Sequence, residues 1–335
     1  KKGKLMLKQL ITIIFITILG IKTVQAKMPD QINFGIISTE SASALEESFA
    51  PFLSDMSKSL GVTVKPFFAS DYAGVIEAMR FNKVDLAWFG NKSAIVAVDR
   101  AGGEVFAQTI KDDGSEGYHS LLITNKNSDL NSLEDVLKCD KTKTFGNGDP
   151  NSTSGFAIPG YYVWALNNKT PEDCFKRVTR SNHEGNALAV ANNKVDVATN
   201  NTESIYARLQ KNNMDAFKNI KEIWRSPLIP SDPMVWRKNL NDEVKQKIYF
   251  FIMQYGRFGS MEKVKKERKT LANLSDGWGP FLASSNAQLL DVRQIEAFKK
   301  KLKAQKKNDM AGVAKAEEEL KKLKELADIV GKAGY

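Results

Sequence analysis

The sequence contains few of the residues from which metal sites and disulfide scaffolds are built. It has only two cysteines and two histidines among 335 residues. Two cysteines are too few for a scaffold that depends on disulfides. Neither Cys139 nor Cys174 has a second cysteine or a histidine at the short spacings that zinc sites use, so we expect no metal site and no cofactor.

The first 26 residues have the layout of a secretory signal. Four lysines within the first eight positions precede the apolar run Leu10–Ile21, and Val24 and Ala26 suit a cleavage site. The run is too short for a comfortable membrane span, and no cysteine follows it that could carry a lipid anchor. We predict cleavage after Ala26; an uncleaved amino-terminal anchor is the alternative.

Positive charge is in excess, but much of the excess is local. The formal net charge is +10, and removal of residues 1–26 leaves 44 basic and 39 acidic residues, a net charge of +5. Six lysines lie from Lys299 to Lys307, among alanines and leucines and ahead of Glu317–Glu319. This pattern is typical of a solvated amphipathic helix, whereas nucleic-acid binders spread basic residues and aromatics over a face. We expect no nucleic-acid partner. An interaction protein built around this tail is an alternative that accounts only for the end of the chain.

Short β-type runs alternate with amphipathic segments after the predicted signal. About 309 residues would remain after cleavage, more than one hydrophobic core usually supports. Strand–helix units over residues 33–110 and 120–198 predict parallel sheets covered by helices. We therefore predict two Rossmann-like α/β lobes joined by crossover strands. Their ranges are 27–119 plus 228–290 for lobe 1, 120–227 for lobe 2, and 291–335 for a helical tail that packs back on a lobe.

Prolines modify this pattern in two places. Pro51 interrupts the helical spacing of Ala44–Leu60 and predicts a break or kink there. Pro227, Pro230 and Pro233 favour extended chain in the second crossover.

The segment Phe145–Gly155 has the character of an anion site. It follows a predicted strand, opens a helix predicted over residues 155–166, and contains Ser152, Thr153 and Ser154. The first amide groups of a helix lack internal partners, and the helix dipole favours negative charge, so these hydroxyls and amides suit an oxyanion. No Gly-Lys-Ser/Thr ends the segment, which excludes a Walker A loop. Ordinary capping of the helix is the alternative.

Four other strand-to-helix junctions carry polar side chains. They contain Tyr72, Tyr118, His183 and Glu203. In open α/β sheets ligands bind beyond the carboxyl ends of strands, so these side chains are candidates for the same cleft. Each also has a plain structural interpretation, as an exposed tyrosine, a surface histidine or a helix-capping acid.

Several long motifs resemble one protein family. The family is the phosphonate-binding substrate component of ABC importers, a type II periplasmic binding protein, and the resemblance runs from about Asn33 to Phe298. The motifs that carry it are FGIISTES at 34–41, DYAG at 71–74, MRFNKVD at 79–85, FGNGDPNSTSG at 145–155, PGYY at 159–162, NALAVAN at 186–192, VDVATNNTE at 195–203 and SPLIP at 226–230.

The resemblance implies a bilobed periplasmic protein that closes on its ligand and delivers it to a membrane permease. It implies two sets of ligand-binding residues. Tyr72, Ser152, Thr153, Ser154 and His183 would hold the phosphonate, and Tyr118, Glu203 and Asp232 would face an amino group of the ligand. His119 departs from the pattern, because relatives carry an aromatic residue there, and the two cysteines do not belong to it.

The chemistry of the two sets predicts the class of ligand. A phosphonate carries up to two negative charges, which hydroxyl, amide and imidazole groups can stabilise at roughly 1.5–3 kcal/mol per charge-assisted bond. Glu203 and Asp232 would repel a simple phosphate but would attract an ammonium group. We therefore expect an aminoalkylphosphonate such as 2-aminoethylphosphonate. In the alternative interpretation Glu203 caps a helix and Asp232 anchors the crossover.

Two other functions are open at this stage. A receptor for phosphite, phosphate or another oxyanion would need no acidic pair. A phosphonate or phosphate ester hydrolase could use Ser152 as nucleophile and His183 as base. However, the sequence has no G-x-S-x-G nucleophile elbow. We therefore expect a binding protein rather than an enzyme.

The two cysteines precede two predicted strands. If those strands are parallel neighbours, Cys139 and Cys174 lie together at the amino-terminal edge of a sheet, away from the cleft. We hypothesise a disulfide that closes this βαβ unit and stabilises the fold by roughly 3–4 kcal/mol in the chain-entropy account.

Overall fold

A computed structural model of the protein describes residues 28–274 and 277–332. The predicted signal and its cleavage site after Ala26 lie outside these residues. Within the described ranges, no helix has both the length and the apolar character needed to cross a membrane.

The strands form two large sheets and one short ribbon. In chain order they are β1 Gln31–Ile36, β2 Thr63–Phe67, β3 Leu86–Trp88, β4 Gly103–Gln108, β5 Gly117–Tyr118, β6 Ser120–Asn125, β7 Thr144–Asn147, β8 Arg177–Arg180, β9 Val197–Asn201, β10 Ile220–Arg225, β11 Ile229–Pro230, β12 Pro233–Arg237 and β13 Leu282–Ala283.

The chain forms β1 to β4 of the first sheet, crosses to form the second sheet, and then crosses back to add β12 and β13 to the first. The first sheet has the order β13-β4-β12-β3-β1-β2, and the second has the order β10-β6-β9-β7-β8. The two crossings pair with each other where β5 runs antiparallel to β11, with Ile229 opposite Tyr118. The first sheet and its helices are called half 1 below, and the second sheet and its helices half 2. The predicted α/β fold with two sheets and crossover strands is confirmed, while the exact lobe boundaries stay a prediction.

Both sheets are mixed, whereas the sequence predicted parallel ones. β1 runs parallel to β2 and β3, and β7 runs parallel to β8 and β9. In contrast, β12 is antiparallel to both β3 and β4, and β6 is antiparallel to β9 and β10. β6 and β12 directly follow the two crossings, where the chain enters a half, and the short edge strand β13 is also antiparallel to β4.

The helices cover the sheets and end in a helical hairpin. They are Ala42–Leu60, Tyr72–Arg80, Asn91–Arg100, Leu133–Leu137, Pro171–Cys174, His183–Ala191, Gln210–Asn212, Met214–Lys218, Asp242–Gln254, Met261–Asn273, Leu290–Lys306 and Met310–Lys332, with a 3₁₀ turn at Asn286–Leu289 and wider π-type turns at Thr153–Ala157, Gly160–Ala165 and Glu203–Leu209.

One helical prediction is wrong, and another is confirmed with a different hydrogen-bond spacing. The helix Ala42–Leu60 is continuous through Pro51, which lies on its exposed side, where water can solvate the carbonyl group that proline leaves unpaired. The helix predicted over residues 155–166 is present as a continuous helical stretch over residues 153–165, with wide π-type hydrogen bonds such as Ala157 N to Ser152 O at 3.1 Å and Leu166 N to Tyr161 O at 3.0 Å. Pro159 has no amide hydrogen, so a regular α-helical ladder cannot run through this stretch.

Half 1 has a single aromatic core. Phe34, Phe49, Phe52 and Trp88 are at most 1% exposed, and Trp278 packs edge-on against Phe49 and Trp88. Burial of such large rings is the main favourable contribution to folding, at roughly 25 cal/mol per Å² of apolar surface. Packing of this density provides a rigid support for the loops at the ends of its strands.

The interior strand β6 of half 2 contributes to both faces of its sheet. Leu121 and Ile123 pack with the helix His183–Ala191, and Leu122 packs with Phe145 on the other face. All six residues of β6 are buried, which is the pattern of a strand covered on both sides.

The tail helix Leu290–Lys306 touches both halves. Glu296 forms an ion pair with Lys92 of half 1 at 2.6 Å, and the ammonium group of Lys299 lies 5.7 Å from the ring centre of Phe156 in half 2. The predicted amphipathic character is explained by ion pairs within the hairpin, such as Lys300 with Glu319 at 2.9 Å.

Cys139 and Cys174 form a disulfide in the structure, with their sulfur atoms 2.01 Å apart. They precede β7 and β8, which are parallel neighbours. The disulfide therefore lies at the edge of the sheet opposite to the segment that follows β7, and away from the cavity described next.

Candidate functional site

A buried cavity lies between the two halves, beyond the ends of their strands. Eight of its lining residues are the eight that the sequence predicted as ligand contacts: Tyr72, Tyr118, Ser152, Thr153, Ser154, His183, Glu203 and Asp232. Each of them is at most 9% exposed. The fold thus brings together side chains from positions 72 to 232 of the chain. Their roles toward a ligand stay predictions.

The turn after β7 contributes to the wall of the cavity. The Ser152 hydroxyl accepts a hydrogen bond from Gly155 N at 3.0 Å and caps the wide turn Thr153–Ala157. A side chain at Gly148 would place its Cβ 2.6 Å from the backbone of Gly155, so the close approach of these two backbone segments requires glycine at position 148. The capping of this helical segment, which was the alternative interpretation of the sequence, is therefore present in the structure. The hydroxyl groups of Thr153 and Ser154 nevertheless line the cavity.

His183 lies against this turn at the start of the helix His183–Ala191. Its Nε2 atom is 3.5 Å from Ser152 Oγ, 3.4 Å from Ser154 Oγ and 3.3 Å from Asn201 Nδ2. Burial, reinforced by the positive charge of Arg208, lowers the pKa of His183 from 6.5 to about 3. The imidazole is therefore neutral at physiological pH and contributes a dipole rather than a charge.

Tyr72 begins the helix Tyr72–Arg80 of half 1, which Asp71 caps at Gly74 N with 2.8 Å. Burial raises the pKa of the Tyr72 phenol far above its usual range, and nearby Asp232 adds to the effect. The phenol is therefore a neutral hydrogen-bonding group. Together with the two serines, Thr153 and His183, it makes up the set of five predicted ligand contacts that are uncharged.

Two acidic side chains, Asp232 and Glu203, also line the cavity. Asp232 lies between the ribbon and β12; its Oδ1 accepts from the Tyr118 hydroxyl and its Oδ2 from Trp88 Nε1, both at 3.0 Å. Burial and the Asp232 charge raise the pKa of Tyr118 well above its usual range, so Tyr118 remains a donor. Glu203 is 9% exposed at the start of the wide turn after β9.

The two halves meet closely around the cavity. Thr153 Oγ1 of half 2 accepts a hydrogen bond from Lys92 N of half 1 at 2.9 Å, and Glu184 Oε2 accepts from Ser41 N at 2.8 Å. A Cβ atom at Gly90 would lie 2.9 Å from Thr153 Oγ1, so the absence of a side chain at this position permits the contact.

The sequence did not single out six further lining residues: Ile37, Thr39, Trp88, Gly90, Asn201 and Arg208. Asn201 ends β9 and Trp88 ends β3, so both lie at strand ends, where a ligand site was expected. Thr39 Oγ1 is buried and has no hydrogen-bond partner among the described residues. Arg208 belongs to the lining because it lies on the wide turn Glu203–Leu209, and no sequence pattern indicated this turn.

His119, the other histidine, lies outside the lining. Its Nδ1 atom is 2.8 Å from Ser226 O, so it joins the two crossings. Over residues 28–274 and 277–332, no group of three or more His, Cys, Asp or Glu side chains is arranged to hold a metal ion.

Comparison with known proteins identifies the family. A family model described as the periplasmic substrate-binding protein of phosphonate ABC transporters matches residues 34–289. The chain is 58% identical over 268 residues to the phosphonates-binding periplasmic protein of Escherichia coli K12, covering 80% of this chain and 76% of that protein. It is 29% identical over 245 residues to the phosphate-import protein PhnD of Mycolicibacterium smegmatis, covering 70% of this chain and 75% of that protein.

A solved structure supports the same conclusion. The binding protein component of an ABC phosphonate transporter from Pseudomonas aeruginosa superposes with a TM-score of 0.84 at 51% identity, covering 89% of this chain and 98% of that structure. These relatives are binding components of transporters and not enzymes, which agrees with the absence of a nucleophile elbow. The chain belongs to the family of periplasmic phosphonate-binding proteins of ABC transporters.

Proposed function

We propose that the protein captures aminoalkylphosphonates, with 2-aminoethylphosphonate as the preferred ligand, and delivers them to the permease of an ABC importer. The observation that carries the proposal is the composition of the cavity lining, in which five uncharged predicted contacts occur together with the carboxyl groups of Glu203 and Asp232. We assign the five uncharged contacts to one end of the cavity, the uncharged end, and Glu203 and Asp232 to the other, the acidic end.

The uncharged end suits a phosphonate head group. Burying an anion without hydrogen bonds is prohibitive, and each charge-assisted bond from a hydroxyl or amide is worth roughly 1.5–3 kcal/mol. The hydroxyl groups of Ser152, Thr153 and Ser154 lie on one turn, and Tyr72 and His183 are contributed by separate helices. Donors on both halves would then grip the head group as the halves close, shifting an open ensemble toward a closed one.

The acidic end suits an ammonium group. Two buried carboxylates in one small cavity repel each other and any anion, and a cation between them removes this cost. Asp232 is held by Trp88 and Tyr118, so its position is fixed before a ligand arrives. Preorganised groups of this kind gain affinity because little ordering remains to be done on binding.

A phosphate receptor is the second candidate function. One relative, 29% identical, is a phosphate-import protein. Phosphate has no cationic group, so Glu203 and Asp232 would only oppose its binding. The phosphonate proposal therefore predicts a clear order of affinities.

Calorimetric titration of the chain from residue 27 onward with three ligands tests the proposal. We expect 2-aminoethylphosphonate to bind about 100-fold more tightly than methylphosphonate, because of its ammonium group, and phosphate to bind more weakly still. The variant Glu203→Gln should reduce this preference about tenfold or more without weakening methylphosphonate binding.

Two results would contradict the proposal. Phosphate binding as tightly as 2-aminoethylphosphonate would favour the phosphate receptor. An absence of heat with all three ligands, confirmed by unchanged thermal unfolding in their presence, would reject an oxyanion function altogether.

The proposal includes export and the lobe division. We infer cleavage after Ala26, lobe 1 at 27–119 plus 228–290, and lobe 2 at 120–227. Mass spectrometry of the protein recovered from the periplasm should show Lys27 as its first residue. Retention in the membrane fraction with residues 1–26 intact would instead establish an amino-terminal anchor.

A further inference from the structure

Arg208 is the single lysine or arginine among the described residues that line the cavity. It is 7% exposed and lies on the wide turn Glu203–Leu209 of half 2. The predicted phosphonate contacts are neutral, so Arg208 supplies the fixed positive charge of the lining. A buried guanidinium group is expensive to desolvate and is retained where its charge has a use or a partner.

Its partner comes from the opposite half. Arg208 Nε forms an ion pair with Glu40 Oε1, and the two side chains are 8% and 11% exposed. Glu40 lies in the loop after β1, and Thr39 of the same loop lines the cavity. The next contact of this loop is also with half 2, where Glu184 N donates to Thr39 O at 3.3 Å. The ion pair therefore forms only when the two halves are together.

The Arg208 charge reaches the predicted phosphonate contacts. It contributes to the lowered pKa of His183, and it opposes the burial that raises the pKa of Tyr72. A charge that acts on these two side chains also acts on an anion held between them. At an effective dielectric constant near 20, a unit charge about 7 Å away changes the binding of a further unit charge by tenfold or more.

We propose that Arg208 is a specificity-determining residue that favours the doubly charged form of the phosphonate head group, and that Glu40 holds its guanidinium group in position across the cleft. The proposal rests on the proposed function, because it assumes that a phosphonate occupies this cavity. It adds that the site distinguishes ligands by the charge of the head group as well as by the ammonium group.

The charge of the ligand can be changed without changing its shape. The second ionisation of a phosphonate lies near pH 6, as for phosphate esters, so one ligand is mostly singly charged at pH 5 and doubly charged at pH 8. The titratable groups around Arg208 are Glu40 and Glu184 on one side and Tyr72, His183, Glu203 and Asp232 on the cavity side. His183, with a pKa of about 3, and the phenol of Tyr72 keep their protonation states over this interval. Any change in the protonation of the carboxylates between pH 5 and pH 8 affects the wild type and the variants that retain them alike. It therefore does not alter the comparison between these proteins.

The experiment is calorimetric titration with 2-aminoethylphosphonate at pH 5.0 and pH 8.0. We expect Arg208→Gln to weaken binding about 30-fold at pH 8.0 but only about threefold at pH 5.0. Arg208→Lys should retain most of the pH 8.0 affinity, because it keeps the charge. Lys211→Gln removes an exposed charge three residues away, whose ammonium group contacts Asn273 Oδ1 at 3.1 Å, and should change neither value more than about twofold.

A second variant covers the possibility that Arg208→Gln leaves Glu40 buried without its partner and unfolds the protein. The double variant Glu40→Gln, Arg208→Gln replaces the ion pair with two neutral amides that can bond to each other. It should fold and should still lose about tenfold more affinity at pH 8.0 than at pH 5.0. Thermal unfolding without ligand separates folding from binding in each variant.

Two outcomes would overturn the proposal. If Arg208→Gln and the double variant lose the same factor of affinity at both pH values, the ion pair only stabilises the contact between the halves. It then does not distinguish ligands by their charge. The same conclusion follows if Arg208→Lys is as weak as Arg208→Gln at pH 8.0. If the wild-type protein binds no phosphonate at either pH, the proposed function itself fails, and this result is distinct from the other two.

Discussion

On the proposed function, the two ends of the cavity are built by opposite means. At the uncharged end, the hydroxyl groups of Ser152 and Ser154 lie within 3.5 Å of the neutral imidazole of His183. At the acidic end, the carboxyl group of Asp232 is fixed by two donors at 3.0 Å. The first end offers neutral dipoles, with Arg208 as the positive charge of the lining, and the second offers acidic oxygens to a cation.

This difference teaches how a small cavity can recognise a zwitterion. Neutral dipoles stabilise an anion of either charge and tolerate an empty site, since they hydrogen-bond to one another. A buried carboxylate is costly until a cation arrives, so it discriminates strongly. On the proposed function, affinity for the head group comes from the first end and selectivity for the amine from the second. The following variants and measurements test that assignment of roles.

The largest effect is expected at the acidic end. Asp232→Asn should weaken 2-aminoethylphosphonate binding about 100-fold, because a buried charge-assisted bond to the ammonium group is lost. Binding of methylphosphonate, which has no amine, should change less than about threefold. Calorimetry with both ligands measures the two values, and Asp215→Asn, at an exposed helix position, is the control. Equal losses for both ligands would show that Asp232 holds the fold of the cavity and does not select the amine.

The neutral imidazole predicts a specific pH dependence of stability. The pKa of His183 is about 3 in the folded protein and near 6.5 in the unfolded chain, so its contribution is complete above pH 6.5 and is lost as the pH falls toward 3. Between pH 7.5 and 5.0 this single group should lower the unfolding free energy by about 2 kcal/mol. Urea unfolding at the two pH values should show a smaller loss, by that amount, for His183→Gln. An unchanged difference would mean that the imidazole is charged in the folded protein.

Removal of one hydroxyl should affect all phosphonates alike. Ser154→Ala should weaken both 2-aminoethylphosphonate and methylphosphonate about tenfold, because both present the same head group. Ser43→Ala, an exposed hydroxyl near the start of the helix Ala42–Leu60, should change neither. A loss confined to the aminated ligand would contradict the division of the cavity into two ends.

The smallest effect concerns Thr39. Its hydroxyl is buried without a hydrogen-bond partner in the described structure, so a phosphonate oxygen is a candidate acceptor. Thr39→Val keeps the shape and should weaken both phosphonates about fivefold while raising the unfolding free energy, because an unsatisfied polar group is removed. Titration and thermal unfolding measure the two effects. Unaltered affinity together with higher stability would exclude Thr39 from the site.

Local pattern was sufficient for much of the fold. Apolar runs bounded by turn residues predicted strand–helix units over residues 33–110 and 120–198, and strands and helices such as Leu86–Trp88 and His183–Ala191 lie within these ranges. The mixed direction of the strands was not predictable, since period and propensity do not tell whether β12 returns beside β3. The π-type hydrogen bonds after Ser152 and Glu203 were also not predicted, because apolar periodicity does not distinguish them from the bonds of an α-helix.

The sequence alone was sufficient to recognise the family, because the motifs that carry the resemblance are continuous segments, and the resemblance implied the eight candidate residues, of which Tyr72, Ser152, Thr153, Ser154 and Glu203 lie in those motifs. Which charges face those residues depends on the tertiary structure. Glu40 and Arg208 are 168 positions apart in the chain and become an ion pair only across the cleft. Burial by two packed halves is likewise what makes His183 neutral, since desolvation depends on the surroundings of a group and not on its neighbours in sequence.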